Sequence, residues 1–280
     1  MLHKYHSWPL NAVLLIAVQS GLFTATARAD RDVFLANVGG QVGIGSGSDT
    51  SPAEPDLTTR VFERVLVPGF PPFDPADYGL DEPGFLALPA GHAELPAGSS
   101  ALPGNASVTV NLLPFTIGGN TDTLFYWNGS GAVDFQPIFS SQPGVVLTLD
   151  PNPIGPTGAS GGADIHTVYR LDISGAAIPA DGAYLLAPTV SVAGLADSER
   201  VFMLFLADVL VTDETDAETL TEGLEMGQPI FMGKDFSFFT EAGTYVSDNL
   251  VVPEPSTALA GMTCIGLAIL FGRRRRASRS

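Results

Sequence analysis

The sequence predicts a mainly β protein: an antiparallel β-sandwich or jelly-roll-like domain with one short surface helix, set between an N-terminal leader and an apolar C-terminal tail. Three observations predict it. Short β-branched and aromatic runs recur at regular spacing over residues 107–211, separated by turn residues. Only one segment, residues 215–226, carries a helical apolar period. The single cysteine, Cys264, lies in the tail, so the body between the two ends has no disulfide and depends on core burial.

Residues 1–29 read as a signal peptide. Lys4 with His3 and His6 gives a weakly basic front, and residues 12–18 and 21–23 supply the apolar region. Ala27-Arg28-Ala29 places small residues where a signal peptidase requires them, with the cut before Asp30. The exported body then spans residues 30–251, enough for one sizeable domain. It holds 29 Asp+Glu against 6 Lys+Arg, a net charge of −23, while the whole chain carries −17. Such a surface repels nucleic acid and attracts divalent cations, which excludes a nucleic-acid-binding role.

Within the body, residues 32–44 read as a first strand and the glycine-rich residues 45–52 as a flexible loop. Residues 59–67 read as a second strand. Residues 68–103 carry eight prolines in 36 residues, too many for a helix or a central strand to run through. The aromatics Phe70, Phe73, Tyr78 and Phe85 there argue for an ordered cover. Further strands are expected over residues 107–113, 123–127, 144–150, 165–173, 184–192 and 200–211, the last apolar enough to be central. Over residues 165–173, Ile165, Thr167, Tyr169 and Leu171 fall on one face, and His166, Val168, Arg170 and Asp172 on the other. The helix of residues 215–226 is expected to be capped by Thr212 or Asp213, and Phe231 with residues 236–239 suggests a last strand.

The tail spans residues 252–280 and has three parts in fixed order. Val252-Pro253-Glu254-Pro255 comes first, then an uncharged apolar run, then Arg273-Arg274-Arg275-Arg276. As a helix, residues 256–272 would rise about 25 Å, at the short end of what crosses a bilayer core of about 30 Å. The arginines favour the cytoplasmic side and leave the body outside. This order resembles the PEP-CTERM sorting signal of exported Gram-negative proteins. The resemblance implies processing by an exosortase, a membrane cysteine protease-transpeptidase acting beside Pro253-Glu254-Pro255, with the arginine block as a stop during transit. It also implies a periplasmic, cell-surface or extracellular-matrix destination associated with exopolysaccharide, and transient membrane anchoring through the helix. Signal peptidase and exosortase are then the expected partners.

Phe125-Tyr126-Trp127-Asn128-Gly129-Ser130-Gly131, Ile165-His166 and the run from Pro179 through Leu186, together with Asp81-Glu82-Pro83-Gly84-Phe85, resemble a zinc-uptake-regulator-repressed family of PEP-CTERM proteins. That resemblance implies expression under zinc limitation. The His-x-His of that family has Val168 at its second position here.

Chemistry-bearing residues are few. The body has two histidines, His92 and His166, which with carboxylates such as Glu94 or Asp164 are candidate zinc ligands. Asp74, Asp77, Asp81 and Glu82 are close in sequence and suit calcium, though without the ligand ladder of an EF-hand. No Gly-x-Ser-x-Gly opens a strand-to-helix turn, and the abundance of Asp and Glu does not define a catalytic pair. Trp127 and Tyr126 could form a sugar platform only if both faced outward, which successive strand residues do not. The expectation is an exported surface protein without catalysis. A metal-handling protein using zinc or calcium is the alternative, and a polysaccharide hydrolase a more distant one.

Overall fold

The computed structural model describes residues 31–50, 52–71, 77–173 and 179–251. The segment of residues 1–29 read as a leader, Asp74, and the segment of residues 252–280 read as a sorting signal lie outside the described residues. Among those described, no helix is long and apolar enough to cross a membrane.

The chain is mainly β, as its composition demands. The strands divide into four principal sheets in a propeller-like layout rather than two facing antiparallel ones, with two small hairpins besides. The first sheet runs Ala163–Ile165, Phe85–Ala87, Asp32–Val38, Gln41–Gly47. The second runs Gln136–Pro137, Leu124–Trp127, Gly182–Leu186, Phe202–Ala207, Val61–Val65. Val145–Asp150, Val168–Ile173, Tyr78–Leu80 and Val67–Pro68 make the third, and Gly155–Pro156, Ser107–Asn111 and Thr189–Val192 the fourth. Two pairings are parallel, Asp32–Val38 with Phe85–Ala87 and Phe202–Ala207 with Val61–Val65. A purely antiparallel sandwich does not describe the molecule.

One apolar core joins all four sheets. Phe202–Ala207 is central, with every residue buried on both faces. Tyr169 and Leu171 face inward with Thr167, as the alternation predicts. The expected single strand over residues 165–173 is nevertheless two. Ala163–Ile165 belongs to the first sheet and Val168–Ile173 to the third, so His166 and Thr167 lie where the chain passes between sheets.

The glycine-rich segment is ordered strand, not flexible loop, up to Gly47. Gly39 and Gly40 turn a tight hairpin at φ of 61° and 92°. Gly45 serves close packing: a Cβ there would lie 1.7 Å from the Asp56 carbonyl oxygen. Prolines also leave more room for strands than expected. Tyr78–Leu80 and Phe85–Ala87 fit between them as three-residue strands, each with a hydrogen-bonded neighbour on both sides.

Glu214–Glu225 is helical, capped by the Asp213 side chain accepting from the Asp216 amide, with Ala217 and Leu220 buried. A second long helix replaces the expected last strand. Ser237–Asn249 buries Phe239, Ala242, Gly243 and Val246, the i, i+3, i+4, i+7 spacing of one helical face. Burying Phe239 and Val246 contributes about 1.5–3 kcal/mol each. The helix follows the hairpin of Ile230–Phe231 with Lys234–Asp235 and ends against the core at Leu250 and Val251.

Candidate metal centre

Asp32 opens the first strand, and the parallel pairing of Val33 with Phe85 sets it beside Gly84. The Gly84 amide donates to Asp32 Oδ1 at 2.8 Å and to Glu82 Oε2 at 3.1 Å, while the Val33 amide donates to the Gly84 carbonyl at 2.9 Å. On the other side of Phe85, pairing with Ile165 brings Asp164 and His166 to the same edge. Residues 32, 82, 164 and 166 therefore converge through long-range strand pairing.

The convergence is tight. One carboxylate oxygen each from Asp32 and Asp164 and one ring nitrogen of His166 lie within 4.8 Å of one another. His166 Nε2 is 3.4 Å from Asp164 Oδ1. Its Nδ1 is 3.2 Å from the Asp81 carbonyl and 3.5 Å from Glu82 Oε1. Gly84 is required for this approach, because a Cβ would sit 2.7 Å from His166 Cε1 and 2.9 Å from Asp32 Oδ1.

The electrostatics follow from the crowding. Asp32 is buried, and burial raises its carboxyl pKa despite the nearby imidazole and the hydrogen bonds from Glu82 and Gly84. Burial and the Asp32 charge push Glu82 up to about 7. Burial opposes charge on His166, but the Asp81 carbonyl and the carboxylates of Glu82, Asp32 and Asp164 raise its pKa overall. Below the cluster, the buried Tyr169 hydroxyl donates to the Pro83 carbonyl at 3.0 Å and fixes the turn that carries Glu82 and Gly84.

A cavity of about 530 Å³ adjoins this edge, with Asp81, Glu82 and Arg64 on one wall. Glu214, Glu218 and Glu222 line the other, one i, i+4, i+8 face of the Glu214–Glu225 helix. Carboxylates on both walls favour cations in the cavity over anions.

The structure reorganises the sequence-predicted ligands. His166, Asp164 and Glu82 come together. His92 does not join them: it is exposed in a turn, where its Nδ1 accepts from the Glu94 amide at 3.3 Å, and it belongs to no ligand cluster among the described residues. Glu94 instead accepts from the Ala53 amide at 2.8 Å. Asp77 is buried and paired with Arg170, whose Nε donates to Oδ2 at 2.8 Å, so its carboxylate is committed to structure. Asp81 offers its carbonyl to His166 rather than a carboxylate. The calcium loop expected from Asp74, Asp77, Asp81 and Glu82 is thus not assembled by the members that are described. Asp32 is the ligand that sequence reasoning missed, since nothing near it in sequence marks it.

Tyr126 and Trp127 divide between the two faces, as strand alternation predicts. Trp127 is buried against Phe135 and Phe238. Tyr126 is partly exposed and donates to the Asp181 carbonyl at 2.8 Å. Comparison with family models, curated proteins and solved structures returns no match, so the site stands on its own chemistry.

Proposed function

We propose that the chain is an exported cell-surface or extracellular-matrix protein without catalysis of its own, carried out by the leader of residues 1–29 and sorted through Val252-Pro253-Glu254-Pro255. The observation that supports this most directly is how the chain is held just before the Val252-Pro253-Glu254-Pro255 motif. The Leu250 and Val251 amides both donate to the Val246 carbonyl, at 2.9 and 3.2 Å, and both side chains pack on the core. The next residue, Val252, opens the Val252-Pro253-Glu254-Pro255 motif. A cut beside Glu254 would leave the Ser237–Asn249 helix and the core contacts of Leu250 and Val251 in the product.

The body's net charge of −23 fits a protein that stays dispersed in a hydrated, acidic surrounding. The resemblance to PEP-CTERM proteins points to an exopolysaccharide matrix as that surrounding. Intact mass of the protein recovered from cells tests the proposal. A product running from Asp30 to near Pro255 is expected, and one retaining Arg273 through Ser280 would overturn sorting in favour of a permanent anchor.

A further inference from the structure

We propose that Asp32, Asp164 and His166 bind one divalent first-row transition-metal ion of the zinc type, with Asp81 and Glu82 holding the imidazole from behind. The inference concerns the folded body and does not depend on how the chain is sorted.

Geometry comes first. A tetrahedral ion about 2.0–2.2 Å from each nitrogen or oxygen ligand sets those ligands roughly 3.3–3.6 Å apart. His166 Nε2 and Asp164 Oδ1 are 3.4 Å apart. A carboxylate oxygen of Asp32 lies within 4.8 Å of a ring nitrogen of His166 and of a carboxylate oxygen of Asp164. Asp164 is more than half exposed, so the closing movement falls on a side chain free to make it.

The imidazole is oriented for this role. Its Nδ1 faces two acceptors, the Asp81 carbonyl and Glu82 Oε1, which favours the neutral tautomer with the hydrogen on Nδ1. In that tautomer Nε2 turns its lone pair to the side where Asp164 lies, the position a metal ion would take in place of a second proton. A metal-ligating histidine almost always donates its other N–H to a carbonyl or carboxylate in this way. A lone pair facing a carboxylate requires a proton or a metal ion between them.

Charge points the same way. Three carboxylates surround one imidazole, with Asp32 buried and Asp164 and His166 exposed. The neighbouring Arg64 offsets part of this charge at Glu82, with its guanidinium donating to the Glu63 and Arg31 carbonyls at 2.9 and 2.8 Å, which leaves an excess of carboxylates. A divalent ion balances such a cluster. Calcium and magnesium prefer oxygen alone, whereas an imidazole beside carboxylates suits zinc and its neighbours. The acidic cavity beside Glu82 would raise the local cation concentration. The bound ion would tie the start of the first strand to the Ala163–Ile165 edge, two segments far apart in sequence.

The test uses the full-length chain in detergent, stripped with chelator and titrated with zinc, manganese or calcium by calorimetry and thermal unfolding. One zinc ion per chain and a zinc-dependent rise in Tm are expected, because a ligand of the native state alone stabilises it. Asp164→Asn and His166→Gln should each weaken zinc binding at least tenfold, and His92→Gln should leave it unchanged. Absence of a zinc-dependent shift overturns the proposal. So does a shift that survives in Asp164→Asn, or one that calcium matches at equal concentration. If His166→Gln fails to fold, the exposed Asp164→Asn decides the matter alone.

Discussion

Gly45→Ala separates an ordered, close-packed strand from a flexible glycine loop. The added Cβ would lie 1.7 Å from the Asp56 carbonyl oxygen, 2.5 Å from its carbon and 2.7 Å from Leu57 Cα. All three are backbone atoms, so no side chain can swing aside. Restoring ordinary contact at about 3.5 Å means parting the Gln41–Gly47 strand from residues 56–57 by more than about 1.5 Å. That movement strains the Asp56 amide bond to the Ser46 carbonyl, 2.8 Å, and the Ser46 hydroxyl bond to Asp56 Oδ2, 2.6 Å. Overpacking costs roughly 1–3 kcal/mol and each lost hydrogen bond about 1 kcal/mol, giving about 3–5 kcal/mol in total.

For a body of this size the loss corresponds to a fall in Tm of about 10 °C. Urea unfolding followed by tryptophan fluorescence measures it, with Gly158→Ala as the control. A Cβ on Gly158 meets only the Gly162 carbonyl at 3.4 Å, so that variant should stay within about 0.5 kcal/mol of the parent. If Gly45→Ala also unfolds within about 1 kcal/mol of the parent, the close approach to Asp56 is not real.

Three further outcomes are expected. Burial raises the Asp56 pKa, but hydrogen bonds from Ser46, Thr58 and Thr59 outweigh it and hold the carboxyl at about 2 against an ordinary 3.8. Its stabilising contribution is therefore full above pH about 4 and lost as pH falls toward 2, roughly 1 kcal/mol after solvent screening. Asp56→Asn should remove that part of the acid sensitivity, and an unchanged slope of stability between pH 5 and 2.5 would contradict the assignment. Arg170→Met strands the buried Asp77 carboxylate and should cost about 3–5 kcal/mol by denaturant titration, with Asp77→Asn added to it restoring part of the loss. A chain ending at Val251 should keep its Tm within about 2 °C of the full-length chain, a scale on which 1 kcal/mol is about 2–4 °C. A much larger drop would mean that the tail contributes to the core.

Much of the β content was legible because apolar density and alternation are local signals. Phe202–Ala207 could be read as central from its composition alone, and the inward facing of Tyr169 and Leu171 from a period of two. The helix of Ser237–Asn249 escaped because its opening phenylalanines match a strand as well as a helix. Only Ala242, Gly243 and Val246 further on complete the helical face. The end of the second strand, Gly45 to Gly47, escaped for a different reason. Glycine signals either flexibility or close approach, and the atom that decides, the Asp56 carbonyl oxygen, is eleven residues away.

The candidate site shows the same division between local and long-range information. Reading carboxylates by nearness in sequence grouped Asp77 and Asp81 with Glu82, yet the fold sends these three to different tasks. The Asp77 carboxylate is taken by Arg170, across the pairing of Tyr78–Leu80 with Val168–Ile173. Asp81 contributes a carbonyl, and only Glu82 turns its side chain to His166. Asp32 arrives through a parallel pairing that no turn or spacing announces, and Asp164 through the antiparallel pairing on the opposite side of Phe85–Ala87. That three-residue strand, lying in the proline-rich segment where a central strand was not expected, is what assembles the cluster. A substitution that displaces it, such as Gly84→Ala, should therefore disperse Asp32 and His166 together. Zinc binding would then be lost even though every proposed ligand remains in the chain, and intact zinc binding in that variant would show that the cluster does not depend on the close approach at Gly84.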